Sequence, residues 1–95
     1  MKRTEEISGT YLQGYILTTR RKLTEVFGEP TRYIESKTTI QWGVVFEGGV
    51  IATIYDYKRE KGAPGMDEEI TYNIGGLSPK AVLKVKDAMR EKVSA

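Results

Sequence analysis

Apolar and polar positions alternate most regularly between Thr38 and Tyr57. Ile40, Trp42, Val44 and Phe46 take one parity, and Gln41, Gly43, Val45 and Glu47 take the other. After Gly48-Gly49 the alternation resumes, with Val50, Ala52 and Ile54 set against Ile51, Thr53, Tyr55 and Tyr57. A period of two marks a strand. Two such runs joined by paired glycines predict a hairpin, because a type I′ turn needs positive φ at both central residues. Upstream, Thr10 to Leu17 is rich in β-formers and predicts a strand, with Tyr11, Gln13 and Tyr15 on one face and Leu12 and Ile16 on the other. Gly14 marks a bulge or a close approach within it. Thr18 or Thr19 then caps a helix to Phe27, whose stripe is Leu23, Val26 and Phe27. Gly28 ends this helix and Pro30 prevents its resumption.

Ile70, Tyr72 and Ile74 alternate with Thr71 and Asn73 as a last strand, broken by Gly75-Gly76. Ser78 before Pro79 is a helix start, a capping residue followed by proline at the first position. That helix runs to about Lys92, with Ala81, Val82, Val85, Ala88 and Met89 as its apolar stripe. The order is β-α-β-β-β-α, an α+β fold: a mostly antiparallel sheet with two helices packed on one face. Residues 1–8 are polar and expected to fray, leaving a single domain over 9–95.

Composition narrows the chemistry. Among 95 residues, 39% are hydrophobic and 29% charged, and the formal charge is +2. That balance belongs to a globular chain and is too mild to announce binding to a nucleic-acid polymer. There is no cysteine and no histidine, which removes thiolate and imidazole metal ligands and every Ser-His or Cys-His pairing. The acidic run Asp67-Glu68-Glu69 has no metal-ligand spacing, and no phosphate loop of the Gly-Lys-Ser type follows any glycine. The expectation is a protein that is not an enzyme, with no cofactor and no metal. No leader and no membrane-length apolar run is visible, so a cytoplasmic location is expected.

Three groups of residues suggest binding. Thr18, Thr19 and Arg20 sit at the first helix's start, where backbone N–H groups favour an anion, although cations there oppose the helix dipole. Gly75 and Ser78 flank the second helix start and would let a ligand approach the backbone. The alternative at that junction is a tight turn needing positive φ. Tyr11, Tyr15, Tyr55 and Tyr57 fall on strands, followed by Lys58 and Arg59, a pattern able to stack bases and neutralise phosphates. The alternative is that the tyrosines support the core or line a homo-oligomer interface. The charged loop Lys58–Glu69, with Gly62, Pro64 and Gly65, is longer than a hairpin needs and is expected to act as a lid.

Several segments together resemble a family of small uncharacterised proteins of tailed bacteriophages. They are Thr10-Tyr11-Leu12-Gln13-Gly14-Tyr15, Val26 to Thr31, Trp42 to Phe46, Val50 to Lys58 and Asn73 to Ser78, in that order. The resemblance implies an accessory product acting in the cytoplasm of an infected host. It lends no catalytic residues. The expected function is a non-enzymatic binding protein that counters host defence by sequestering a nucleotide-type immune signal, as a homo-oligomer. The alternative is an inhibitor docking a host enzyme through its sheet face, on which Val45, Ile51 and Tyr55 add apolar bulk. A weaker third reading is nucleic-acid binding through the basic last helix.

Overall fold

The alternating parities resolve into sheet faces in the computed structural model, which describes residues 1–4, 8–30, 32–33, 40–56 and 62–94. Its elements are β1 (Lys2–Arg3), β2 (Tyr11–Thr19), α1 (Arg20–Phe27), β3 (Arg32–Tyr33), β4 (Ile40–Val45), β5 (Ile51–Tyr55), β6 (Glu69–Gly76) and α2 (Lys80–Ser94). The expected order β-α-β-β-β-α is present, with β1 and β3 as two-residue additions. Every strand pairing is antiparallel, in the order β1-β4-β5-β6-β2, and β3 extends the ladder along β4. Lys2–Arg3 lie in the stretch expected to fray, yet they pair with Val45 and Val44.

One parity of each strand meets the helices. Ile40, Trp42 and Val44 of β4, Ala52 and Ile54 of β5, and Tyr72 and Ile74 of β6 are buried against Leu23 and Phe27 of α1 and Ala81, Val85 and Met89 of α2. This apolar burial is the main force holding the layers together. Trp42 is placed by more than area. Its indole N–H donates to the Gly28 carbonyl at 2.7 Å, and its ring meets Tyr72 edge-on with centroids 6.0 Å apart. Gly28, at φ +83°, ends α1 as expected and presents that carbonyl to the indole.

The β4–β5 hairpin closes with the Phe46 N–H donating to the Val50 carbonyl at 2.8 Å. Gly48 and Gly49 both adopt positive φ, +85° and +80°, as expected. The turn nevertheless spans three residues, Glu47 to Gly49, with the Gly49 N–H donating back to the Phe46 carbonyl at 3.1 Å.

Gly75-Gly76 does not break the last strand, and neither glycine has positive φ. Both are there for space. A Cβ on Gly75 would lie 2.4 Å from Thr53 Oγ1. One on Gly76 would lie 2.5 Å from the Ala81 Cβ and 2.9 Å from the Ile51 carbonyl oxygen. No helix among the described residues is long and apolar enough to cross a membrane.

Candidate functional site

Residues directly opposite each other on antiparallel strands point to the same side of the sheet. On the side away from the helices, Tyr15 stands opposite Asn73, Asn73 opposite Tyr55, and Tyr55 opposite Gln41. The next register position beyond Gln41 is held by Arg32. The row therefore crosses five strands. Tyr15 is 54% exposed, Asn73 and Tyr55 are half-buried, and Gln41 and Thr53, on the same face, are buried. Leu17, opposite Thr71, and Leu12, opposite Gly75, lie on the same face and are 62% and 45% exposed. The absence of a side chain at Gly75 leaves room for the Tyr55 ring, whose Cε1 would sit 3.4 Å from a Cβ there.

The structure thus brings together Tyr15, Tyr55 and Gly75 from the sequence-derived set. It separates Tyr11 from them. β2 slips register between Leu12 and Gly14, and a bulge reverses the facing of the residues beyond it. Tyr11 consequently stands opposite Gly76, a helix-side position, while Leu12 takes the open side. The expected grouping of Tyr11, Gln13 and Tyr15 on one face is overturned by that single extra residue. Gln13 turns its side-chain amide to the Gly76 carbonyl, donating at 3.1 Å.

At the start of α1 the expected anion donors are buried or turned to the chain's own groups, apart from the Arg20 Nε, which is buried without a hydrogen-bond partner. Thr18 is buried, on the helix side by its register with Ile70. The Thr19 hydroxyl accepts from the Lys22 N–H at 3.2 Å, capping the helix as the sequence predicts. The Arg21 N–H donates to the Met66 carbonyl at 2.8 Å. Its guanidinium grips both oxygens of Asp67 at 2.7 and 3.0 Å. Arg20 reaches the Pro64 carbonyl at 3.4 Å. The side-chain hydrogen bond from Arg21, with its charge, holds the Asp67 carboxyl below its ordinary range, and the same bond raises Arg21. The cations that oppose the dipole are there to fasten a loop.

That loop is the second half of Lys58–Glu69. Pro64 is fully buried, and Gly65 and Glu68 exchange bonds of 3.2 Å (Gly65 N–H to the Glu68 carboxylate) and 3.3 Å (Glu68 N–H to the Gly65 carbonyl). Its acidic end is anchored to α1 through Asp67. Tyr57, Lys58 and Arg59 lie outside the described residues. Ser78 caps α2, its hydroxyl accepting from the Lys80 N–H at 3.3 Å.

The row's polar members, Asn73 and Gln41, were missed as site residues. Their parity in the sequence already set them opposite the core, but only the cross-strand register shows that they alternate with the tyrosines. A separate hollow of about 230 Å³ between the hairpin turn and α2 is lined by Glu47, Asp87 and Glu91 against Lys84, a balance that repels phosphate. Among the described residues no cluster of carboxylates fit to hold a metal ion occurs. The chain matches no protein-family pattern, no curated protein and no solved structure.

Proposed function

We propose that this chain is a non-enzymatic binding protein whose open sheet face takes the base of a small nucleotide between Tyr15 and Tyr55. The observation that carries the reading is their shared register with Asn73 on the face the helices leave uncovered. Two strand spacings separate the tyrosine backbones by roughly 10 Å. That leaves room for a planar ring standing edge-on over Asn73 with a tyrosine on either side. The Asn73 amide offers both a donor and an acceptor to the edge of a base. Stacking on one aromatic side chain contributes about 1–3 kcal/mol. In an infected bacterium such a protein acts by stoichiometric sequestration of a nucleotide immune signal.

Isothermal titration against a panel of cyclic nucleotides and cyclic ADP-ribose isomers tests this. Binding is expected with at least one, weakened about 5- to 100-fold by Tyr15→Ala or Tyr55→Ala. No heat with any member of the panel sinks the reading.

The exposure of Leu12 and Leu17 on this face favours a second reading, an inhibitor docking a host enzyme. A photo-crosslinking residue at position 73 discriminates. One stoichiometric protein adduct, lost in Leu17→Asp, together with a silent titration, supports the inhibitor.

A further inference from the structure

We infer that two copies of this chain pair through the outer edges of β2, making one sheet continuous across a two-fold axis. The inference stands whether or not the open face takes a nucleotide. β2 ends the strand order, so among the described residues its outer backbone edge faces no other strand. Sheet edges of this kind are normally blunted by lysine, proline or inward-pointing charge. Tyr11–Thr19 has none of these over nine residues; the bulge is its one protective device. Large apolar side chains lie exposed on both sides of the strand. Tyr11 is 65% exposed on the helix side, with Leu12, Tyr15 and Leu17 on the open side. A partner lying flat on one face would leave Tyr11 bare. A strand added at the edge flanks both sides.

The choice of a second copy as occupant rests on charge and area. α2 presents Lys80, Lys84, Lys86 and Arg90 to solvent against Asp87 and Glu91, with Asp87 paired to Arg90, so the face keeps a net positive charge and two copies meeting there would repel. Two β2 edges meet with no formal charge opposed. Aromatic side chains bury about 150–250 Å² each. The exposed fractions of these four residues thus amount to roughly 400 Å² per copy, about 800 Å² in the pair. That total lies below the roughly 1,200 Å² of standard specific interfaces and places the pair among weak, reversible ones, held in register by the main-chain hydrogen bonds of the two joined edges. An antiparallel pairing about Tyr15, the strand's midpoint, sets Gly14 against Ile16 in matching facing, while the bulge between Leu12 and Gly14 puts Tyr11 and Leu12 out of facing with Thr19 and Thr18; the pairing consumes both free edges at once.

Light scattering tests the pairing on the full chain. The expected mass is twice 10.7 kDa, reverting to one chain in the double variant Leu12→Lys/Leu17→Lys, with unchanged circular dichroism. Because the chain has no cysteine, single thiols give a second readout that does not depend on that variant folding. Tyr15→Cys is expected to form a covalent dimer on mild oxidation, since opposed Cα atoms sit about 4.5–5.5 Å apart, within disulfide reach. Thr71→Cys, one strand inboard, is expected to stay monomeric. A wild-type chain that remains single at millimolar concentration overturns the inference. So does a double-lysine variant that stays dimeric, or a disulfide at Thr71→Cys without one at Tyr15→Cys. The nucleotide titration is read on the wild-type chain and the pairing on its mass and its disulfides, so the two proposals fail separately.

Discussion

The Arg21 guanidinium and the Asp67 carboxylate meet as a two-pronged fork, at 2.7 and 3.0 Å, across 46 positions of sequence. The fork closes one end of the sheet by tying the first turn of α1 to the loop that leads into β6. Both side chains are largely exposed, so salt screens the pair and its contribution is small.

Its pH dependence has a definite sign. Asp67 is held below its ordinary value in the folded protein, so the unfolded chain takes up this proton first as pH falls. The contribution is therefore complete above the unfolded value, near pH 4, and is lost as pH drops through the lower folded value. Denaturation midpoints of wild type and Asp67→Asn are expected to differ by a constant amount at neutral pH and to converge only in acid. A gap that widens in acid would contradict the fork.

Gly75→Ala is expected to destabilise the protein by about 1–3 kcal/mol through overpacking, because its Cβ would fall 2.4 Å from Thr53 Oγ1. Thr53→Ala removes that oxygen, so the double variant should recover part of the loss in urea denaturation. Equal losses in the single and double variants would show that the conflict lies elsewhere.

Trp42 is the one tryptophan of the chain and is fully buried. Its emission is expected to be blue-shifted, shielded from acrylamide and red-shifted on unfolding. Trp42→Phe leaves the Gly28 carbonyl without its 2.7 Å donor, a loss of about 1–3 kcal/mol, read by circular dichroism during denaturation.

Asp56 is buried beyond the end of β5 and accepts from the Ile40 N–H at 2.9 Å. Asp56→Ala strands that donor inside the protein and should cost about 1–3 kcal/mol, whereas Asp56→Asn keeps an acceptor and should cost less. Equal stability of the two variants, measured by thermal unfolding, would remove the bond from the account.

The strands with a clear period of two, the glycines of the hairpin and the Ser78-Pro79 helix start were legible because each is encoded within a few neighbouring residues. β1 and β3 were not, since two residues carry no period. Gly75-Gly76 reads locally as a strand breaker; its reason for being glycine sits on Thr53 and Ala81, in other elements. Arg20 and Arg21 read as free cations because the Pro64 carbonyl and the Asp67 carboxylate, which engage them, come from a distant loop. The candidate row was half visible. Tyr15 and Tyr55 could be chosen as aromatic strand residues, but their alignment through Asn73 depends on β2 pairing with β6, a choice of neighbour that alternation does not encode.

That neighbour choice also sets a timetable. Gln13 and Gly76 touch across 63 positions of chain, so β2 leaves the ribosome long before the strand it needs. At roughly 5–20 residues per second the wait is on the order of 3–12 s, whereas a hairpin such as β4–β5 closes within about 1–10 μs once it is out. For those seconds β2 is an uncharged apolar strand with neither edge paired. The place of β2 at the sheet's edge is therefore fixed only after β6 has been made, long after β2 itself.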